Sequence, residues 1–332
     1  MKRIGIGVVF LIIGIFVFGQ ATISGNVFTG IRADITNGVG NVYANNDANG
    51  TPIWSNFRVD YSLDKNAGLT VNLRTKGTDA VSNVSSRFYP FLNRGFVWGK
   101  FFDGMVKARV GYLWDSDFES NHNGWDTNDN YEWVAEVTAT PFENVEVGFT
   151  LPTPYNKMDL VDSLKRITYG VVYSPAGMRF SVMGELGAVD TQRSVNFGFD
   201  YSGIDNLLVR VEGDLQQIGI DKVGYYQLYQ EVNYNAGSFV PNLQMTEWFY
   251  KDGVTPVKVS VVPNVTIPVN GMTVYSQLSY TVTDNDFANA VVQAKGLVQV
   301  PLNKKAWWMV GTYVTKNVDI TISPFVQLFS SF

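Results

Sequence analysis

The chain has 332 residues, of which 17% are charged, and a formal net charge of −5. That balance argues against the broadly basic surface that a nucleic-acid backbone requires, so nucleic acid is not an expected partner. Cysteine is absent and His122 is the single histidine. Disulfide frameworks, thiolate zinc sites, thiol nucleophiles and multi-histidine metal centres are thereby removed, and a Ser-His-Asp triad has one residue to draw on. No enzyme activity, cofactor or metal is expected. Aromatic residues make up 14% of the chain and glycines number 31, while an average soluble domain carries about 25% charged residues.

The first stretch, MKRIGIGVVFLIIGIFVFGQA, places Lys2 and Arg3 before an apolar run from Ile4 to Phe18, with small residues at Gly19 and Ala21. Positive flank, short apolar run and small-residue site are the order of a secretory signal. The run is shorter than the ~20 residues a spanning helix needs. Cleavage after Gly19 or after Ala21 fits, so residues 1–20 are read as a removed signal and 21–332 as the mature domain.

From there the dominant period is two. In PIWSNFRVDYSLD (52–64), Phe57, Val59 and Tyr61 share one face, with Asn56, Arg58 and Asp60 on the other. MVKARVGYLW (105–114) sets Val106, Ala108, Val110 and Tyr112 against Lys107, Arg109 and Gly111. MTVYSQLSYTV (272–282) and AVVQAKGLVQV (290–300) alternate in the same way. These runs are about ten residues long, the length of a tilted strand crossing a bilayer. Tight, turn-forming connections at 64–68, 103–104, 141–144, 174–177, 203–206, 235–238, 269–271 and 301–305 alternate with mostly longer polar ones at 36–50, 76–94, 115–130, 152–165, 188–193, 217–222, 250–255 and 284–289. The rhythm predicts an all-β fold: a transmembrane antiparallel β-barrel of about 16–18 strands with short periplasmic turns and longer extracellular loops. Closure removes the sheet edges that hydrocarbon cannot tolerate. Trp54, Tyr112, Trp114, Tyr131, Trp133, Tyr173, Tyr201, Tyr234, Trp307 and Trp308 fall near strand ends, as two interfacial girdles would place them.

The chain closes on SPFVQLFSSF (323–332). Counted back by twos from Phe332, the face Ser330, Leu328, Val326, Pro324, Ile322, Ile320, Val318 is apolar except at Ser330 and Pro324. This resembles the closing strand of bacterial outer-membrane β-barrel proteins, and the resemblance implies that Phe332 is the signal read by the barrel-assembly machinery. It also implies an outer-membrane location, with lipid around the barrel and both ends of the chain on the periplasmic side.

A barrel of this width holds an aqueous channel. The fifth and sixth strands flank DSDFESNHNGWDTNDN (115–130). In general porins, which the chain resembles in architecture, the loop at that place folds inward with acids facing a basic wall. The resemblance implies such a constriction here, with Asp115, Asp117, Glu119, Asp126 and Asp129 facing Arg32, Arg58, Arg74, Lys107 and Arg109, and with Glu132 and Glu136 among the inward acids. DTNDN (126–130) lacks the glycine and distal glutamate of a calcium loop. The expected function is passive diffusion of ions and small hydrophilic solutes, with a homotrimer possible by the same resemblance. The alternative is an adhesin or surface antigen whose loops bind a partner.

Overall fold

The computed structural model describes residues 20–44, 53–77, 88–113, 132–152, 160–186, 194–218, 223–250 and 257–332. The first strand, β1 (Gln20–Thr36), turns at Asn37 and Gly38 into β2 (Val39–Ala44). Both turn residues have positive φ, 51° and 80°, the conformation of a two-residue hairpin whose twist matches its strands. There follow β3 (Ile53–Ser62), β4 (Ala67–Gly77), β5 (Phe88–Phe101), β6 (Val106–Leu113), β7 (Glu132–Phe142), β8 (Val145–Pro152) and β9 (Thr168–Tyr173). The second half of the chain adds β10 (Met178–Glu185), β11 (Ser194–Tyr201), β12 (Leu207–Ile218), β13 (Val223–Tyr234), β14 (Val240–Tyr250) and β15 (Lys258–Val269), then β16 (Met272–Thr283), β17 (Val291–Asn303), β18 (Ala306–Lys316) and β19 (Ile320–Ser331).

Each strand pairs antiparallel with its neighbours, and β19 returns to β1 from Asn26↔Ser331 to Thr36↔Thr321. The sheet is therefore closed. β3 pairs with Gln20–Thr29 of β1 and β2 with Ile31–Thr36. These two segments form one interrupted stave, so the nineteen strands make an 18-stave barrel. The even count puts Gln20 and Ser331 at the same end as the tight turns, where each short connection expected from the sequence is found. Three expectations change in detail. Within the expected 36–50 connection, residues 36–44 form a hairpin turn and a strand, because Asn37-Gly38 makes a turn. The 152–165 connection contains a short helix, α1 (Leu160–Lys165). A further connection at 317–319 joins β18 to β19. No helix among the described residues is long and apolar enough to cross a membrane.

A closed sheet has a concave and a convex face, and alternation sends successive side chains to each. The polar set is concave: Thr70, Asn72, Glu136, Thr138, Glu212 and Asp214 are buried. The apolar set is convex and exposed, including Ile31, Phe57, Val97, Val110, Val182 and Val310. A soluble domain would have the reverse arrangement. Aromatic rings band the outer face at both ends. Tyr112 and Trp133 meet at 6.0 Å and Tyr226 stacks on Phe249 at 4.4 Å toward the long-loop end. Tyr173, Phe180 and Phe199 run in contact at the tight-turn end. Trp307 departs from the girdle expected for it. It lies in the inward register and stacks on Phe329 at 3.9 Å, with Phe28 on the far side of that ring at 4.4 Å. Trp114, Tyr131 and the Trp54 side chain lie outside the described residues.

The last strand sits as its alternation predicts. Val326 and Leu328 face outward and Phe325, Gln327 and Phe329 inward. Phe332 extends the seam: its N–H donates to the Gly25 carbonyl at 3.0 Å and its carbonyl accepts from the Gly25 N–H at 3.3 Å. Its ring covers Gly25, where a Cβ would approach Cζ to 2.5 Å. Pro324 interrupts the seam, where pairing skips from Arg32↔Phe325 to Ile35↔Ile322, because proline has no N–H to give the ladder.

Candidate functional site

The inner wall is sorted by charge along the chain. On β3 to β6 the inward register carries Arg58, Arg74, Arg94, Lys100, Lys107 and Arg109, with Asp60 among them. On β7 to β13 it carries Glu136, Glu146, Glu185, Asp200, Glu212, Asp214 and Glu231, with Arg179 and Arg210 among them. From β14 to β18 it is largely neutral, with Asn242, Gln244, Asn264, Gln277 and Gln293 accompanied by Lys258 and Lys295. Because the sheet is closed, a basic arc and an acidic arc share one bore.

Two kinds of ion pair fix the wall. Within a strand, i and i+2 share a face, which brings Arg32 Nε to Asp34 at 2.9 Å and Arg58 Nε to Asp60 at 2.6 Å. The Asp60 carboxylate also accepts from the Thr70 hydroxyl at 2.7 Å, and the Ser323 hydroxyl donates to Asp34 across the seam. Between strands, register decides. Arg109 is opposite Glu136 and reaches it at 2.6 Å. Glu136 is 1% exposed and Arg109 12%, and the guanidinium also lies 5.4 Å from the Phe96 ring centre. Arg210 bridges Asp200 at 2.8 Å and Glu231 at 3.1 Å. Glu231 then accepts from Asn242, which accepts in turn from Asn264 at 3.0 Å. Lys295 rests over Tyr313 at 4.8 Å and Tyr275 at 5.9 Å. The pairs tie long side chains to one another along the wall and fix where their charges sit.

Arg32, Arg58, Arg74, Lys107, Arg109 and Glu136, all expected from the sequence, occupy inward positions of one continuous wall. Glu132 takes the inward register opposite Leu113, and its side chain lies outside the described residues. So do Asp115, Asp117, Glu119, Asp126 and Asp129 and the rest of the 115–130 segment. Arg94, Lys100, Arg179, Arg210, Asp200 and Glu231 belong to the wall but escape a sequence reading. For Arg94 and Lys100 the cause is a β-bulge: Leu73 pairs with Leu92 and Asn72 with Arg94, so Asn93 is extra and the alternation of β5 changes phase there. Among the described residues no three His, Asp or Glu converge as a metal site.

No family model and no curated protein matches the chain. Solved structures do. OpdL of Pseudomonas aeruginosa aligns over 94% of this chain and 99% of its own, at 9% identity and a TM-score of 0.62. OccK2 (OpdF) of the same organism covers 94% and 98% at 9% identity and 0.61. An anion-selective porin from Comamonas acidovorans covers 95% and 100% at 13% identity and 0.51. The chain has the outer-membrane porin fold. The likeness spans nearly the whole of both chains, so the porin fold accounts for every described strand and leaves no second domain among them. At these identities it is a likeness of backbone, and the chemistry of the porin wall here comes from this chain's own charged arcs.

Proposed function

We propose that the chain is an outer-membrane channel that passes ions and small hydrophilic solutes down their gradients. One observation carries this reading: an 18-stave closed barrel whose inner face is charged and sorted into basic and acidic arcs. Small barrels fill their interiors with side chains, whereas this stave number leaves an aqueous bore. Arcs of opposite sign side by side on one wall set a field across the bore that orients water and polar solutes. In this reading residues 1–20 direct export, 21–332 form the barrel in outer-membrane lipid, and the barrel-assembly machinery reads the strand that ends at Phe332. The segment 115–130 enters the bore, its five acids set against Arg32, Arg58, Arg74, Lys107 and Arg109.

The test is single-channel conductance of the refolded mature chain in a planar bilayer under a salt gradient. Discrete conductance steps are expected, with a reversal potential that moves toward anion selectivity when Asp115, Asp117, Glu119, Asp126 and Asp129 are replaced by Asn or Gln. Unchanged selectivity in that variant rejects the constriction. A folded barrel that never conducts rejects the channel, leaving the loops as binding surfaces of an adhesin.

A further inference from the structure

Lys100 and Lys107 stand directly opposite each other across β5 and β6, one pair in from the 102–105 turn. Like charges in direct register repel. Compensation is thin: Lys107 Nζ is 3.9 Å from Glu146, and Lys100 Nζ is 5.7 Å from the centre of the Trp98 ring. The neighbouring guanidiniums differ, since Arg58 and Arg109 are each held by a carboxylate at 2.6 Å. Lys100, Lys107 and Trp98 line an inward recess of about 370 Å³, together with Arg58, Arg109 and the Asp60 carboxylate that Arg58 holds. That ring lies against the wall over Gly68, where a Cβ would come within 2.5 Å of it.

We infer that this recess is a subsite for an organic phosphate, with the phosphoryl group between Lys100 and Lys107 and a flat body on Trp98. A phosphate monoester carries close to two negative charges at neutral pH and three acceptor oxygens, and each ammonium offers three donors. A monocarboxylate neutralises only one of the two ammoniums, and chloride offers no spaced acceptors. The stacked ring gives an adjoining planar body apolar area to cover. The subsite lies at the tight-turn mouth of the bore, and its service in transport rests on the channel reading above. Its occupancy does not.

Isothermal titration of the refolded mature chain in detergent tests it, with inorganic phosphate, phenyl phosphate, malonate and benzoate as probes. Saturable binding is expected for both phosphates, tighter for phenyl phosphate. Lys100→Gln with Lys107→Gln weakens both at least tenfold. Trp98→Ala removes the advantage of phenyl phosphate and leaves inorganic phosphate unchanged. Circular dichroism establishes that each variant is folded. No saturable heat with either phosphate overturns the proposal, as does unchanged binding in the double lysine variant, or malonate binding as tightly as phosphate. Chloride conductance of the same preparation separates the two readings: binding without conductance removes the channel and keeps the subsite, and conductance without binding does the reverse.

Discussion

The Arg109–Glu136 pair is enclosed, with side chains 12% and 1% exposed. Glu136→Gln keeps the shape and deletes the carboxylate charge that the Arg109 guanidinium meets at 2.6 Å. Breaking an enclosed pair from one side is costly, so a loss on the order of 3 kcal/mol is expected in urea titrations of the barrel in lipid vesicles. The reversal potential should move toward anion selectivity in the same variant. Asp60→Asn is a milder change, because Arg58 and Asp60 are each more than a third exposed, and ~0–1 kcal/mol is expected for it in the same titration. The two pairs also differ in legibility. Arg-x-Asp on an alternating strand announces its own contact, as in Arg32–Asp34 and Arg58–Asp60. Arg109 and Glu136 are joined only through the register of β6 and β7, which no local pattern states. Arg210, between Asp200 and Glu231, was hidden for the same reason.

Strands were legible where both faces were chemically distinct. β3, β6, β16 and β17 could be read because each repeats apolar against polar over several pairs. β2 could not: VGNVYA is six residues long and mixes the two sets. The phase change in β5 was equally silent, since a bulge is a property of a pair of strands and not of one. At this scale β13 and β14 break the outward pattern. Gln230 lies between the outward Tyr226 and Tyr234, and Glu247 lies one pleat from Phe249. A carboxylate on a lipid face costs free energy even where a lysine would cost more. Glu247→Leu is therefore expected to stabilise the barrel in vesicles by about 1 kcal/mol. If it instead lowers stability, or shifts the assembly state on native gels, a protein surface rather than lipid covers that face. The final strand yields another test. Gly25→Leu collides with the Phe332 ring and the Asn56 carbonyl, and both it and Phe332→Ala should slow barrel formation, read from the rate at which protease resistance appears during refolding into vesicles.

For the whole molecule, closure is the property on which the rest depends. A cysteine-free chain makes it directly testable. Asn26→Cys with Ser331→Cys places two thiols opposite each other in the inward register of the seam, within the usual Cα spacing for a disulfide. Oxidation should proceed without competing thiols and raise stability by roughly 2–4 kcal/mol, because the bond ties a loop of nearly the entire barrel. A pair that stays reduced would mean an open seam. The rhythm of tight and long connections made the barrel readable before any coordinates. The sorting of the bore into arcs was not readable, because strands far apart in sequence become neighbours or opposites only once the ring is closed.

The pairing of Asn26 with Ser331 also sets an order in time. Every hairpin from β3 to β19 can zip as soon as its second strand is present, whereas the free side of β1 keeps its N–H and C=O groups unsatisfied until the last-made strand arrives. Until then β1 is an open template for any extended segment that meets it, its own sibling chains included. A copy that lacks β19 keeps that side of β1 unpaired, and adding the last strand is what ends the exposure.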